Sequence, residues 1–364
     1  MRSILVTGGA GFIGSHLVDE LLASGYDVRV LDALVGQVHG AAERPPYLNS
    51  GAELLVGDVR DGEAVRRALE GVDAVVHLAA RVGVGQSMYE LTEYTGSNSY
   101  GTAVLLQALL DRPVQKLLVA SSMSIYGEGA TAPVEAVERT REDLEARRFE
   151  PLGAGGEVLT ALPTPETKRA ANSSVYALTK YDQERLCLVF GDAYEVPTVA
   201  LRFFNVYGPR QALSNPYTGV LAIFASRLLN GRAPLVFEDG GQRRDFVNVS
   251  DVTSACLLAL EHDAAAGQAL NIGSGESVTV TEIARKLARV LGVEIEPELT
   301  GTFRTGDIRH CFADITRARA LLGYEPAVAL EDGMAELAEW LETQTAEDHV
   351  DHATAELVSR GLAR

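Results

Sequence analysis

The stretch SILVTGGAGFIG, residues 3–14, sets the organisation of the chain. Its aliphatic run at residues 4–6 is typical of a short buried strand. Three glycines follow at intervals of three residues, at Gly8, Gly11 and Gly14, and the apolar residues after them repeat at helical spacing. A strand, a glycine turn and a helix together suit a pyrophosphate, because glycine leaves room for the phosphates and the helix N-terminus offers backbone N–H groups.

The second predicted strand, residues 27–31, ends at Asp32. Asp32 follows Gly14 by 32 − 14 = 18 residues, close to the ~20 residues expected for the acid that binds an adenosine ribose. A carboxylate there accepts from both ribose hydroxyls and repels a 2′-phosphate, which favours NAD over NADP. Two plainer interpretations stay open: a glycine turn that only closes a strand onto a helix, and an aspartate that only ends a strand.

Composition excludes several classes of protein. The net charge of −18 over 364 residues argues against nucleic acid and anionic membranes as partners. The three cysteines, Cys187, Cys256 and Cys311, form no CxxC pair, so we expect neither a disulfide framework nor a metal site, and a reducing cytoplasm. The chain opens on a predicted strand, so we expect no signal peptide, and no apolar run is long enough for a membrane span.

Predicted strands and helices alternate through the first two hundred residues, which predicts an α/β fold with a doubly wound parallel sheet. Polar or small residues follow successive strands, at Gly8, Asp32, Asp58, Ala79 and Ser122. Ligands of such sheets bind at the carboxyl ends of the strands, so these residues are expected to share one site.

The same pattern predicts a domain division. Residues 1–204 form a nucleotide-binding domain to which 241–272 return, while 205–240 and 273–343 form a smaller α/β lobe. The stretch 131–172 is charged and then rich in Gly, Pro and Thr; it is expected to be either a lid beside the substrate or an inert insertion. Residues 344–364 are predicted to be a polar, helical tail without an assignable role.

Tyr176 and Lys180 are four residues apart on a predicted helix, so their side chains share one face. An ammonium near a phenol is expected to lower the pKa of the phenol from its usual value of about 10, which allows it to take a proton from an alcohol. Ser122, at the end of a predicted strand, would orient the reacting oxygen. These three residues are therefore the candidate catalytic set.

Several motifs together resemble the extended short-chain dehydrogenase/reductase superfamily, and within it the NAD-dependent nucleotide-sugar epimerases and dehydratases. The resemblance covers residues 1–343 and is carried by residues 7–14, 57–59, 77–80 and 244–247 and by Ser122, Tyr176 and Lys180. It implies a Rossmann domain that holds NAD tightly, a C-terminal lobe for a nucleotide diphosphate sugar, and a homodimer.

The resemblance also implies site residues. The cofactor is expected to contact residues of the strand ends and of the catalytic helix: Gly8, Gly11, Phe12, Ile13, Gly14, Asp32, Asp58, Val59, Leu78, Ala79, Ala80, Asn98, Tyr176, Lys180 and Phe204. The substrate is expected to contact residues of the second half of the chain together with the catalytic residues: Ser122, Ser124, Tyr176, Asn205, Val220, Leu235, Phe237, Arg244, Arg304, Asp307 and Cys311. Among them Arg244 and Arg304 align with the family's pyrophosphate arginines.

The residues after Ser122 separate the subclasses of this family. Dehydratases carry an acid pair there, and related decarboxylases keep a glutamate, whereas this chain has Met123 and Ser124. The missing acid disfavours dehydration and decarboxylation and leaves redox at a single carbon. The resemblance therefore implies a 4-epimerase, which oxidises the sugar to a 4-keto intermediate and returns the hydride to the opposite face, so that NAD is not consumed.

Residues 207–219 and 306–314 look like the 4-epimerases of dTDP-6-deoxysugars such as dTDP-L-rhamnose. UDP-glucose and UDP-glucuronate remain open as substrates. The small Cys311, at a position that limits pocket width in galactose epimerases, implies room for an altered sugar. The gap between Ser122 and Tyr176, 176 − 122 = 54 residues, puts galactose in doubt. Two rivals are a 4-ketosugar reductase with the same three residues and a catalytically silent NAD-binding protein.

Overall fold

The computed structural model describes residues 1–40, 43–213, 215, 219–304, 306–344 and 348–364. Within these ranges the strands are, in chain order, β1 (Ser3–Thr7), β2 (Asp27–Asp32), β3 (Glu53–Val56), β4 (Ala74–His77), β5 (Lys116–Ser122), β6 (Thr131–Ala132), β7 (Thr160–Ala161), β8 (Thr198–Phe203), β9 (Asn205–Tyr207), β10 (Leu235–Val236), β11 (Arg243–Arg244), β12 (Phe246–Asn248), β13 (Gln268–Ile272), β14 (Val278–Thr279), β15 (Glu298–Leu299) and β16 (His310–Cys311).

The α-helices are α1 (Phe12–Ala23), α2 (Gly36–His39), α3 (Gly62–Ala68), α4 (Val84–Ser87), α5 (Leu91–Tyr94), α6 (Gly101–Asp111), α7 (Arg141–Glu145), α8 (Val175–Ala193), α9 (Val220–Leu229), α10 (Val249–Glu261), α11 (Val280–Val290), α12 (Thr316–Leu322), α13 (Leu330–Leu341) and α14 (Val350–Ser359). A π-helix, Thr95–Tyr100, runs into α6, and two short 3-10 helices span Met123–Tyr126 and Asp263–Ala265.

One parallel sheet organises the described chain, with seven strands in the order β13-β8-β5-β4-β1-β2-β3. In the centre, Val6 of β1 lies opposite Val30 on one side and Val76 on the other. All three are fully buried, because helices cover both faces of a parallel sheet. The predicted α/β, doubly wound fold is confirmed.

The two faces of the sheet carry separate apolar cores. Helices α1 and α10 cover one face, over Ile4, Val6 and Leu118, while α3, α6 and α8 cover the other, over Leu5 and Leu117. From β1 the strand order runs outward in one direction through β2 and β3, and in the other direction through β4, β5 and β8. The connections that leave β1 and β4 therefore lie on opposite faces of the sheet, which leaves a crevice between the carboxyl ends of these two strands.

A smaller lobe packs around its own core, which α9, α11 and α13 share with Tyr207 and Phe246. Residues of 308–324, including Ile308, Ile315 and Leu322, pack instead into the core beside the sheet. Residues 308–324 therefore pack beside the sheet rather than in the core of the smaller lobe. The predicted division at residue 204 stays a prediction.

The stretch 131–172 contains the strand pair β6–β7 and the short helix α7. Ion pairs fasten it to the rest of the fold: Arg139 contacts Glu238 at 2.7 Å, and Glu150 contacts Arg309 and His310. Arg309 is almost completely buried. Residues 131–172 are therefore held against the rest of the protein by these ion pairs.

The last residues fold into α14, whose residues Val350, Ala353 and Leu357 are buried. The sequence predicted a helical tail, but not that this helix would pack on the body of the protein. Across the described ranges, no helix is both long and apolar enough to cross a bilayer.

Candidate active site

A cavity of about 620 Å³ lies at the carboxyl ends of the central strands, between the sheet and the smaller lobe. Its wall includes the predicted strand-end residues Gly8, Asp32, Asp58, Ala79 and Ser122. The topology therefore brings these residues into one site. The volume is typical of a small-molecule site.

The glycine turn after β1 is shaped to admit a ligand close to the backbone. Gly8 has a φ of +70°, and a Cβ at Gly14 would lie 2.3 Å from the carbonyl oxygen of Gly8, so a side chain fits at neither place. Gly11 caps α1 without a side-chain hydrogen bond. These glycines, with Phe12 and Ile13, lie on the cavity wall, and the turn fits the pyrophosphate of a dinucleotide.

Asp32, at the end of β2, turns its carboxylate toward the same turn. One oxygen accepts from the backbone N–H of Ala10 at 3.0 Å, and the other from that of Leu34 at 2.9 Å. Each carboxylate oxygen has a second lone pair, so the group can also accept from ribose hydroxyls at the cavity wall.

Further predicted cofactor residues line the same cavity, among them Val59, Leu78, Ala79, Ala80 and Phe204. Asp58 lies there too and is held by the guanidinium of Arg60 at 2.7 Å. Burial alone would raise the pKa of Asp58, but its hydrogen bonds with Arg60 dominate and lower it.

Asn98 departs from its predicted place, because it is fully buried and is not on the cavity wall. Its side-chain oxygen accepts from the N–H of Arg81 at 2.7 Å, and its amide donates to the oxygens of Arg81 and Thr179. Asn98 thus fixes the loop that follows Ala80, and its direct contact with the cofactor stays a prediction that the cavity wall does not support.

Ser122 and Tyr176 both lie on the cavity wall, and the Ser122 hydroxyl is near enough to the phenol to affect its pKa. Ser122 is the last residue of β5. Tyr176 lies in the first turn of α8, which Ser174 caps by accepting from the N–H of Ala177. The N–H of Tyr176 donates to the Ser87 hydroxyl at 3.0 Å. Ser122 is therefore held by strand β5, and the backbone at Tyr176 is held by the start of α8 and by Ser87.

The pKa of the Tyr176 phenol is raised by burial, and only the hydrogen bond with Ser122 opposes that increase. The sequence predicted the opposite shift, caused by the ammonium of Lys180. That prediction is wrong for the protein by itself, because desolvation of the phenolate outweighs the pairing available to it.

Lys180 lies on the cavity wall one helical turn after Tyr176, and burial lowers the pKa of its ammonium to about 7. Its Nζ donates to the side-chain oxygen of Gln183 at 2.6 Å. The amide nitrogen of Gln183 contacts Thr102 at 2.9 Å and His77 at 3.2 Å. Gln183 was not among the predicted site residues, although its three-residue spacing from Lys180 is a usable signal.

The far end of the cavity holds the predicted substrate cations. Asp307 lies between Arg304, at 2.9 Å, and Arg244, at 3.7 Å. Burial alone would raise the pKa of Asp307, but the two arginines hold it below its usual value. The Arg304 guanidinium also lies 4.4 Å from the ring centre of Phe237. Cations and an aromatic ring are thus grouped where a nucleoside diphosphate needs them.

Four other predicted substrate residues, Ser124, Asn205, Val220 and Leu235, also line the cavity. Cys311 does not: it is fully buried in the core, and its thiol faces the Thr164 hydroxyl at 3.8 Å. The predicted contact of Cys311 with the sugar stays a prediction, and the burial of its side chain in the core does not support it.

The C-terminal residues were not predicted to reach the site. Five of them form part of the cavity wall: Val350, Ala353, Thr354, Leu357 and Leu362. Their mixed sequence gave no motif. Within the described chain, no group of three or more His, Cys, Asp or Glu side chains is arranged to hold a metal ion.

Comparison with known proteins identifies related sequences over almost the whole chain. The sequence profile of the NAD dependent epimerase/dehydratase family matches residues 4–273. A dTDP-L-rhamnose 4-epimerase of Burkholderia thailandensis is 36% identical over 350 residues, which cover 93% of this chain and 95% of that protein.

Solved structures agree. The UDP-glucose 4-epimerase of Thermotoga maritima with UDP-glucose superposes with a TM-score of 0.79 at 34% identity, over 94% of this chain and 99% of that one. The UDP-glucose 4-epimerase of Thermus thermophilus in complex with NAD superposes with a TM-score of 0.76 at 31% identity, over 94% of this chain and 100% of that one.

Proposed function

Because the chain belongs to the NAD dependent epimerase/dehydratase family and is an NAD-dependent nucleotide-sugar 4-epimerase, we propose that its substrate is a dTDP-6-deoxyhexose such as dTDP-L-rhamnose. The predicted family, enzyme class and cofactor are confirmed at this level. The individual site residues stay predictions, and the geometry supports their roles as follows.

The observation that carries the reaction type is the pair of Ser122 and Tyr176. Both side chains lie on the wall of the cavity that also holds the glycine turn and Asp32, and the Ser122 hydroxyl favours ionisation of the phenol. The two residues that follow Ser122 are Met123 and Ser124, so neither of them supplies a carboxyl group that could help to expel a sugar hydroxyl. Redox at one carbon is the chemistry that this arrangement supports.

Tyr176 takes the proton of the sugar 4-hydroxyl, and Ser122 orients the reacting oxygen. NAD, when bound, accepts the hydride from C4 and later returns it. A 4-keto sugar then turns about its pyrophosphate linkage and presents its other face, after which Tyr176 returns the proton. Lys180 holds a positive charge beside the phenol and binds a cofactor ribose.

A turning sugar requires that the nucleotide be held firmly. Arg304 and Arg244 supply charge for the pyrophosphate, and Phe237 supplies a ring face for the base. The relative from Burkholderia thailandensis supports thymidine over uridine. The predicted homodimer and cytoplasmic location are part of the proposal and rest on the family resemblance alone.

Substrate assignment can be tested with a panel of dTDP-L-rhamnose, UDP-glucose and UDP-glucuronate, followed by NMR for inversion at C4. We expect turnover of the dTDP-6-deoxysugar at least ~10-fold faster, in kcat/KM, than that of either UDP-sugar, a ratio within reach of one pocket. A preference for a UDP-sugar would overturn the substrate proposal. Stoichiometric consumption of added NADH would instead favour the ketosugar reductase.

A further inference from the structure

The C-terminal segment, residues 348–364, is anchored to the smaller lobe by an ion cluster. Asp351 contacts Arg227 at 2.7 Å and Arg232 at 2.8 Å, and Asp348 contacts the same two arginines at 3.5 and 3.3 Å. Arg227 and Asp348 are almost completely buried. The start of α14 is therefore held by paired charges from α9 and the residues after it, rather than lying loosely on the surface.

The other end of the segment pairs with the chain beside Arg304. Phe303 and Arg364 exchange two backbone hydrogen bonds, of 2.7 and 3.0 Å, and Ala363 forms an antiparallel bridge with Arg304. The last residues thus add a short strand directly behind a predicted pyrophosphate arginine.

Between these anchors, α14 crosses to the first domain. A Cβ placed on Gly85 would lie 3.3 Å from a methyl carbon of Leu357, and the Arg360 guanidinium lies 4.3 Å from the ring centre of Tyr89. The segment therefore spans the cavity from the lobe to the loop after β4.

The face of α14 that meets the cavity is apolar apart from the hydroxyl of Thr354. Leu357 is 5% exposed and lines the cavity, whereas the next residue, Val358, is 54% exposed. Ala353 and Val350 extend the lining face at helical spacing, and Met88 of the opposing loop continues it. No charged side chain of α14 belongs to the described cavity wall.

Leu357 faces a segment that contacts the catalytic helix α8. Gly85, against Leu357, is two residues before Ser87, whose hydroxyl accepts from the N–H of Tyr176. The base-binding ring of Phe237 lies at the other end, beside Arg304. The contact with Gly85 favours the sugar rather than the base as the neighbour of Leu357.

We propose that residues 348–364 form a wall of the substrate site and that Leu357 selects sugars with an apolar C6 group. The proposal rests on the nucleotide-sugar epimerase function argued above. A methyl group at C6 packs against Leu357, whereas a hydroxyl or carboxylate held against the Leu357 side chain loses hydrogen bonds to water that leucine does not replace. The wall therefore favours a 6-deoxyhexose.

A pair of ligands isolates this effect: dTDP-6-deoxyglucose and dTDP-glucose differ only in the C6 hydroxyl. For the wild-type protein loaded with NAD, calorimetry should give a Kd ratio of about 10 in favour of the deoxysugar, within the range that an apolar contact provides. Leu357→Asn should reduce the ratio to about 2, and Leu357→Met should preserve it, because methionine fills the same volume with apolar atoms. With dTDP-L-rhamnose, kcat/KM of Leu357→Asn should fall about 10-fold.

The matched control is Val358→Asn, the same change one residue along on the exposed face, which should leave the ratio as in the wild type. An unchanged ratio in Leu357→Asn, or an equal change in Val358→Asn, overturns the proposal. A wild-type protein that prefers dTDP-glucose, or binds both sugars no better than dTDP, overturns it as well. The Kd ratio measures binding and does not require C4 inversion. Absence of C4 inversion therefore counts against the proposed function and not against the proposed role of residues 348–364.

Discussion

Lys180 donates a hydrogen bond of 2.6 Å from its ammonium to the side-chain oxygen of Gln183, within one turn of α8 and out of contact with bulk water. The amide of Gln183 is itself held by Thr102 and by His77 at the end of β4. A glutamine with both ends engaged fixes the ammonium at the cavity wall. Gln183 is therefore a positioning residue for Lys180.

Replacing Gln183 is expected to move the pH profile of the enzyme. Burial lowers the pKa of Lys180 to about 7, and the charged form is the one that assists Tyr176. Gln183→Glu adds a negative charge beside the ammonium and should shift the alkaline limb of kcat/KM upward by about one pH unit, while Gln183→Leu removes the acceptor and should shift it downward.

The measurement is kcat/KM against pH for the two variants and for Gln107→Glu, which adds the same charge at an exposed position of α6. The control should retain the wild-type profile. Shifts of equal sign in Gln183→Glu and Gln183→Leu would contradict the positioning role.

Tyr176→Phe is expected to lose activity by a factor of at least ~10², because it removes the group that exchanges a proton with the substrate. The ring and its packing against Tyr94 remain, so the protein should fold and keep its NAD. Steady-state assays and the NAD content of the purified protein test both points. Tyr194→Phe, at the exposed end of the same helix, is the control; substantial activity in Tyr176→Phe would refute the assignment.

Asp32→Asn is expected to weaken the preference for NAD over NADP by about 10-fold, because it removes the charge that repels a 2′-phosphate while retaining an oxygen for Ala10 and Leu34. The ratio of the two dissociation constants measures this. Asp27→Asn, at the exposed start of the same strand, should leave the ratio unchanged. If the ratio of the NAD and NADP dissociation constants is the same in Asp32→Asn as in the wild type, Asp32 does not bind the adenosine ribose.

Sequence alone predicted much of this site because the motifs involved are local. The glycine turn of residues 8–14 determines its own backbone geometry, and Tyr176 and Lys180 share a face through helical spacing. Strand ends in a parallel sheet then converge, which brings Asp32 and Ser122 to one cavity. Each step needs only neighbours in sequence and one topological rule.

Contacts between distant segments could not be predicted in this way. The pairing of Phe303 with Arg364 and the contact of Leu357 with Gly85 depend on how the C-terminal segment packs on distant parts of the chain, and no periodicity encodes them. The burial of Cys311 could not be predicted, because a two-residue strand carries no alternation that shows which way its side chain points. The pKa of Tyr176 was misjudged because spacing reveals a neighbouring charge but not the degree of burial.

His77 is expected to make the fold sensitive to acid. Burial, followed by the charge of Lys180, lowers its pKa from 6.5 to about 3. Between those values the unfolded chain binds a proton that the folded protein does not, so stability falls as the pH decreases from 6.5 toward 3. Over this window the free energy of unfolding should lose about 1.4 kcal/mol per pH unit through this residue.

Urea denaturation of the wild type and of His77→Gln between about pH 4.5 and pH 6.5 isolates that contribution, since other titrating groups act equally in both. The difference in stability between them should shrink as the pH falls. A constant difference would show that His77 takes up a proton in the folded state.

The reaction itself is tested most directly in D2O. The protein, with the NAD it carries and no added cofactor, is incubated with dTDP-L-rhamnose, and the product is analysed by NMR. Hydride transfer from C4 and back predicts inversion at C4 with protium retained there, and no inversion in Tyr176→Phe. Deuterium at C4 of the product, or inversion at another carbon, would contradict the account.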